Sequence, residues 1–128
     1  MPLLMDTLGI DCAEPASLAR FWAEALDYTI DPSDDPSEIM VSPKTGAGVP
    51  LGFFKVPEGK TVKNRLHLDL RPEDQAAEVE RLIGLGAKKV DIGQGSQTWV
   101  VLADPEGNEF CVLRALRPEE RAKQAAAP

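Results

Sequence analysis

The segment Lys63-Asn64-Arg65-Leu66-His67-Leu68-Asp69-Leu70 alternates between polar and apolar residues and carries the single histidine of the chain. An imidazole titrates near neutrality, so a histidine two residues from a carboxylate can move a proton, bind a ligand or coordinate a metal. Further along, Glu109 and Cys111 stand two apart in a second alternating run and offer another carboxylate and a thiol. Arg65 and Lys55 add cations able to grip a carboxylate or steady an oxyanion. Three readings of His67 are open: a strand residue hydrogen-bonded to Asp69, Arg65 or Glu109; an acid/base or ligand-contacting group, with Asp69 or Glu109 as partner; or a metal ligand. Nothing beside Cys111 in sequence would lower its pKa, so a buried thiol is its expected role and a nucleophile the sharper alternative.

The elements around these residues follow from periodicity. Asp6 to Cys12 alternates as a strand, with Leu8, Ile10 and Cys12 on one face and Thr7, Gly9 and Asp11 on the other. Glu14 to Leu26 repeats at helical spacing, with Pro15 at its start. Short extended pieces are expected at Tyr28–Ile30, Glu38–Ser42 and Val49–Val56, separated by "DPSDDPS" and "PKTGAG". Leu51, Phe53 and Lys55 share one side of the third piece. The order then repeats. Arg65 to Leu70 reads as a strand, with Leu66, Leu68 and Leu70 under a helix and Arg65, His67 and Asp69 on the opposite side. Pro72 to Gly86 reads as a helix facing inward through Ala76, Val79, Leu82 and Ile83. Extended pieces follow at Lys88–Ile92, Thr98–Ala103 and Glu109–Arg114, with "DPEGN" turning between the last two. Phe110 and Val112 are expected in the core, which leaves Glu109, Cys111 and Leu113 on the other side. Trp99 is a candidate for stacking on a ligand or for packing.

The chain is therefore strand-helix-strand-strand-strand, twice: an α+β protein of two βαβββ modules, at about 3–57 and 64–115, in one domain spanning 1–116. A polar tail occupies 117–128. Thr7 corresponds to His67, and Glu14 to Asp74. Each half has too little core to stand alone.

Bulk properties narrow the partners. The chain has 128 residues and a formal net charge of -7. That charge gives no general attraction to nucleic acid or anionic membranes. No apolar run reaches the length of a membrane span. The N-terminus lacks the pattern of a secretory signal, and the two cysteines, Cys12 and Cys111, have no zinc-type spacing. A reduced, cytoplasmic protein is expected.

Three motifs together resemble the vicinal oxygen chelate superfamily, which includes glyoxalase I, extradiol dioxygenases, fosfomycin-resistance enzymes and bleomycin-resistance proteins. "ARFWAEAL" is similar to its first helix, with Trp22 and Asp27 in place of a tyrosine and a glycine. "HLDLRPED" is similar to the start of its second half, and "LADPEGNEFCVL" to its closing turn and strand. The nearest subgroup is the small glyoxalase-like proteins. The resemblance implies sheets curved into a half-open barrel with helices outside, a ligand cavity and a homodimer. It places the superfamily's four metal-ligand positions at Thr7, Lys55, His67 and Cys111. Only His67 matches in type. The chelate is therefore expected to be degenerate, with no cofactor required and a divalent metal left open.

The function expected is binding or sequestration of a small molecule without metal, in the manner of the resistance proteins. Catalysis would rest on His67, Asp69 and Glu109, and ligand contacts on Thr7, Phe53, Lys55, Arg65, Trp99 and Cys111. The alternatives are a lyase or isomerase acting on a small carbonyl compound through His67, and a metal-dependent lyase or dioxygenase with unusual ligands.

Overall fold

A computed structural model describes residues 2–125. The chain forms two compact units, one ending at Val62 and one beginning at Lys63. Each is a βαβββ module with its own four-stranded mixed sheet, as expected for the α+β class.

In the first module the strands are β1 (Leu8–Cys12), β2 (Tyr28–Ile30), β3 (Glu38–Pro43) and β4 (Leu51–Lys55), in spatial order β1-β4-β3-β2. β1 runs parallel to β4, and the other pairs are antiparallel. β1 and β2 lie at opposite edges of this sheet, too far apart for a hairpin, so helix α1 (Pro15–Leu26) makes the connection. Pro15 occupies its first turn, where a missing N–H costs nothing. Leu18, Ala19, Phe21 and Trp22 are buried against the sheet's Val41, Leu51 and Phe53. Phe21 and Trp22 meet edge to face at 5.2 Å. The helix stops at Asp27, whose φ of 55° is left-handed, and an exposed ion pair to Lys44 at 2.7 Å holds its carboxylate.

The second module has strands β5 (Asp69–Leu70), β6 (Lys88–Lys89), β7 (Val100–Ala103) and β8 (Glu109–Val112), in order β5-β8-β7-β6. Helix α2 (Gln75–Leu85) begins where the Asp74 carboxylate accepts a hydrogen bond from the Ala77 N–H at 3.1 Å. It ends at Gly86, whose φ of 124° suits glycine alone. Val79 and Leu82 of α2, with Leu102, Phe110 and Val112 of the sheet, make the core. The β7–β8 turn is built on Asp104. Its buried carboxylate accepts from the N–H groups of Glu106 and Asn108 and from the Asn108 amide at 2.9–3.2 Å.

Several elements are shorter than periodicity suggests. β5 covers only the last two residues of the alternating run, because the chain bends at Arg65 and Leu66. Leu66 is 80% exposed and does not share the covered face with Leu68 and Leu70. Ala76 and Ile83 are also exposed, so α2 faces inward through a narrower stripe. The piece expected at Lys88–Ile92 shrinks to β6. Gly93 and Gly95 take positive φ, and the Asp91 and Gln94 side chains accept the N–H groups of Gly93 and Ile92, which folds the segment into a loop. Within the tail, Pro118–Ala125 form helix α3. The last three positions of the tail expected at 117–128 lie outside the described residues.

Candidate functional site

The site is built on the face of the second sheet opposite its core. Register sets three side chains in a row across it: Asp69 of β5 pairs with Cys111 of β8, and Cys111 with Val101 of β7. Alternation sends the neighbours of Cys111, Phe110 and Val112, to the core, and both are about 1% exposed. Glu109 and Leu113 flank Cys111 on the site face. A cavity of about 290 Å³ opens over this row. Its polar lining is Lys63, His67, Asp69, Gln94 and Glu109. Its apolar lining is Ile92, Trp99, Val101 and Leu113, with Cys111 between the two sets.

Two of the site's side chains, His67 and Cys111, meet at Asp69. His67 Nε2 lies 3.1 Å from Asp69 Oδ1, and both side chains are about half exposed. Burial pushes the Cys111 thiol above its ordinary pKa, and the neighbouring Asp69 charge and hydrogen bond push it further in the same direction, against a smaller effect of Lys63. The thiol is therefore protonated at neutral pH and is a poor nucleophile. Glu109 also braces the local backbone. Its carboxylate accepts the Asn64 N–H at 2.8 Å, and the Asn64 amide reaches its carbonyl at 3.4 Å. These bonds tether the start of the second module to β8.

Trp99 sits just before β7, at the end of the glycine-rich loop, and is 37% exposed. Gln75 holds that end of the loop. Its amide donates to the carbonyls of Thr98 at 2.8 Å and Val112 at 3.0 Å. Helix α2, the loop and β8 are thus joined at one point, which supports the indole at the cavity.

Of the residues singled out from sequence, His67, Asp69, Trp99, Glu109 and Cys111 line one cavity. Arg65 lies in the bend and is not among its lining residues. Thr7, Phe53 and Lys55 belong to the first module. The Thr7 hydroxyl donates to Asp6 at 2.7 Å, and Lys55 is exposed at the end of β4. Phe53 requires a correction. It is fully buried in that module's core, which removes it from the ligand-facing set, and Phe54 shares the opposite face with Gly9 and Gly52. Sequence reasoning does not single out Lys63, Ile92, Gln94, Val101 and Leu113, which also line the cavity, although it places Leu113 on the same face as Cys111. Lys63 continues the alternation of Arg65, His67 and Asp69 and is legible in principle; the two loop residues carry no periodic signal.

The donor set has one imidazole nitrogen, one carboxylate and one sulfur. Their ligand atoms all lie within 4.8 Å of one another. A hard ion favours oxygen-rich surroundings, which a thiol does not supply. A borderline-soft ion accepts all three donor types.

The second module of this two-module α+β chain thus carries a cavity of about 290 Å³ on the sheet face opposite its core. The family model for the glyoxalase-like domain matches residues 7–113, and the chain belongs to that family. No curated protein matches it significantly in sequence. Among solved structures, it is similar to a glyoxalase/bleomycin resistance protein/dioxygenase family enzyme from Burkholderia phytofirmans, at 18% identity and a TM-score of 0.68, covering 89% of this chain and 100% of that one. It is similar to the fosfomycin resistance protein FosX of Listeria monocytogenes, complexed with Mn(II) and a dihydroxypropylphosphonic acid. There the identity is 14% and the TM-score 0.66, covering 98% of each chain. A bleomycin resistance determinant encoded on the transposon Tn5 matches at 18% identity and a TM-score of 0.59, over 90% of this chain and 100% of that one. At these identities the likeness is one of fold.

Proposed function

We propose that this protein binds a small organic molecule in the cavity of its second module, in the manner of the resistance proteins of its superfamily. The observation that carries this reading is the joint lining of the cavity by an exposed indole and by polar groups that include the His67–Asp69 pair. Trp99, Ile92 and Leu113 offer a surface for an apolar or flat ligand body. His67, Asp69 and Lys63 offer one acceptor, one cation and one group able to donate or accept. The Mn(II) of the FosX complex has no counterpart expected here, because Thr7 and Lys55 are poor ligands and Cys111 is a soft one. A cytoplasmic homodimer is part of the proposal by family resemblance. No helix among the described residues is long and apolar enough to cross a membrane.

Catalysis is the second reading, and the His67–Asp69 contact favours it. Asp69 accepting from Nε2–H would leave Nδ1 to take a proton from a small carbonyl substrate, with the Lys63 ammonium near the developing oxyanion.

A thermal-shift screen of small amphipathic compounds, run in chelator, separates the readings. The expected result is a compound that raises the melting temperature of the native protein and not of Trp99→Ala. Saturation at a hundred times Kd corresponds to about 2.7 kcal/mol. Equal shifts in both proteins would sink the cavity assignment. Turnover of a binding compound that His67→Gln abolishes would move the reading to an enzyme.

A further inference from the structure

We propose that Gln75 and Arg71 are positioning residues that hold the β7–β8 ladder open at its cavity end, so that a planar ring of the ligand enters between Trp99 and Leu113. The ligand rests on the binding reading above; the open ladder is tested without one.

The ladder ends at the pair Val100 and Val112. Continued in register, the next pairs are Trp99 with Leu113 and Thr98 with Arg114. Hydrogen-bonded and non-hydrogen-bonded pairs alternate along an antiparallel ladder. At the turn the Asp104 N–H donates to the Asn108 carbonyl at 2.9 Å, so every second pair from there is a bonded one, and Thr98 with Arg114 falls in that series. That pair would exchange two bonds, each N–H donating to the opposite carbonyl. Side chains take both acceptors instead. The Gln75 amide donates to the Thr98 carbonyl at 2.8 Å and to that of Val112 at 3.0 Å. The Arg71 guanidinium donates to the Arg114 carbonyl at 2.8 Å. Both side chains come from one short stretch, since Arg71 follows β5 directly and Gln75 opens α2.

The open end bears on the cavity, because Trp99 and Leu113 both line it. In a closed ladder they would stand directly opposite as a non-hydrogen-bonded pair, with Cβ atoms about 4.5–5.5 Å apart. A planar ring held between two side chains needs about 3.5–4.0 Å of contact distance on each side, or about 7–8 Å in all. The closed register has no room for it. A backbone carbonyl that loses one donor takes another, and the nearest for each of these is the N–H opposite. Gln75 and Arg71 therefore compete with the ladder, and the indole is the group whose place depends on the result. Gly93 and Gly95, both at positive φ, let the chain before Thr98 turn away from the strand direction.

Amide hydrogen exchange and acrylamide quenching of Trp99 test the open ladder, on the full chain with Trp22→Phe so that Trp99 is the single indole. With the native residues at 71 and 75, the Thr98 and Arg114 amides exchange fast. Gln75→Met returns the Thr98 carbonyl to the Arg114 N–H, which slows exchange at Arg114 about tenfold or more. Arg71→Met, an independent variant at an exposed position, slows Thr98 in the same way. In both, acrylamide quenches Trp99 less, as the indole closes on Leu113. A tether that only supports the loop gives the opposite sign: its loss speeds exchange and exposes the indole. An Arg114 amide already protected in the native protein overturns the proposal, as does faster exchange or stronger quenching in the variants while their core amides stay protected. Phenol and cyclohexanol, alike in size but flat and puckered, test the ring. Phenol raises the melting temperature of the native protein more than cyclohexanol does, and Gln75→Met removes the difference. Equal shifts in the native protein, or no phenol shift, overturn the entry of a ring. A compound whose shift needs Trp99 but survives Gln75→Met keeps the binding reading and overturns this one.

Discussion

Trp22 and Trp99 are the same side chain in opposite circumstances. Trp22 is 1% exposed, in edge-to-face contact with Phe21, and belongs to the packing of α1 on its sheet. Trp99 is 37% exposed at the rim of the cavity. Truncating a fully buried aromatic costs about 3–5 kcal/mol, through lost burial and the void left behind. Trp22→Ala should therefore lower the urea midpoint steeply. Trp99→Ala should lower it far less while removing most ligand-induced stabilisation. Denaturation of the two variants side by side checks this, and equal losses of stability would make Trp99 a packing residue. His67 belongs at this scale too. Its spacing from Asp69 in sequence made a pair conceivable, and the 3.1 Å contact makes it real.

Among the elements, the β7–β8 hairpin has the greatest effect on the site, since it carries Val101, Glu109, Cys111 and Leu113. Its geometry is set by Asp104. That buried carboxylate collects donors from Glu106 and Asn108, while Gly107, with a φ of 89°, supplies the turn. Removing the carboxylate strands backbone donors with no acceptor. Asp104→Ala should cost on the order of 2–3 kcal/mol, whereas Asp104→Asn keeps an acceptor and costs less. Chemical denaturation measures both. A loss within about 0.5 kcal/mol for the alanine variant would show that the turn forms without Asp104. The motif "DPEGN" was legible because turn residues announce themselves by type. The loop from Asp91 to Trp99 was not, because its shape depends on contacts such as Gln75 to Thr98, which are remote in sequence.

For the molecule as a whole, the acidic balance sets solution behaviour, and one pairing holds the chain's C-terminal helix. Arg114, just past β8, donates to both oxygens of Glu120 at 3.0 and 2.8 Å, and the Arg117 N–H donates to the same carboxylate at 3.0 Å. The Arg114 hydrogen bonds, then that of Arg117, lower the Glu120 carboxyl from 4.5 to about 2. A carboxyl with a lowered folded pKa stabilises the folded arrangement above its unfolded pKa and loses that contribution as pH falls through the folded value. The anchoring of α3 should therefore be complete above about pH 4.5 and be lost progressively toward about pH 2. Hydrogen exchange at Glu120 and Arg121 across that range reads it, and Arg114→Gln should move the loss to higher pH. Protection independent of pH in native protein would show that the pairing does not hold the helix.

Period and residue type alone specified the doubled βαβββ order, the α+β class, α1 nearly to the residue, and the face shared by Asp69, Glu109, Cys111 and Leu113. These follow from local rules: a strand alternates every two residues and a helix about every 3.6. The superfamily resemblance rested on the same local runs. Tertiary structure decided where β5 begins, that Leu66 is exposed, and that Phe53 is core while Phe54 takes the other face. It also decided that Asp69, Cys111 and Val101 stand in one row. Pairing between strands forty residues apart is set by register and packing, and no window of the sequence contains both partners.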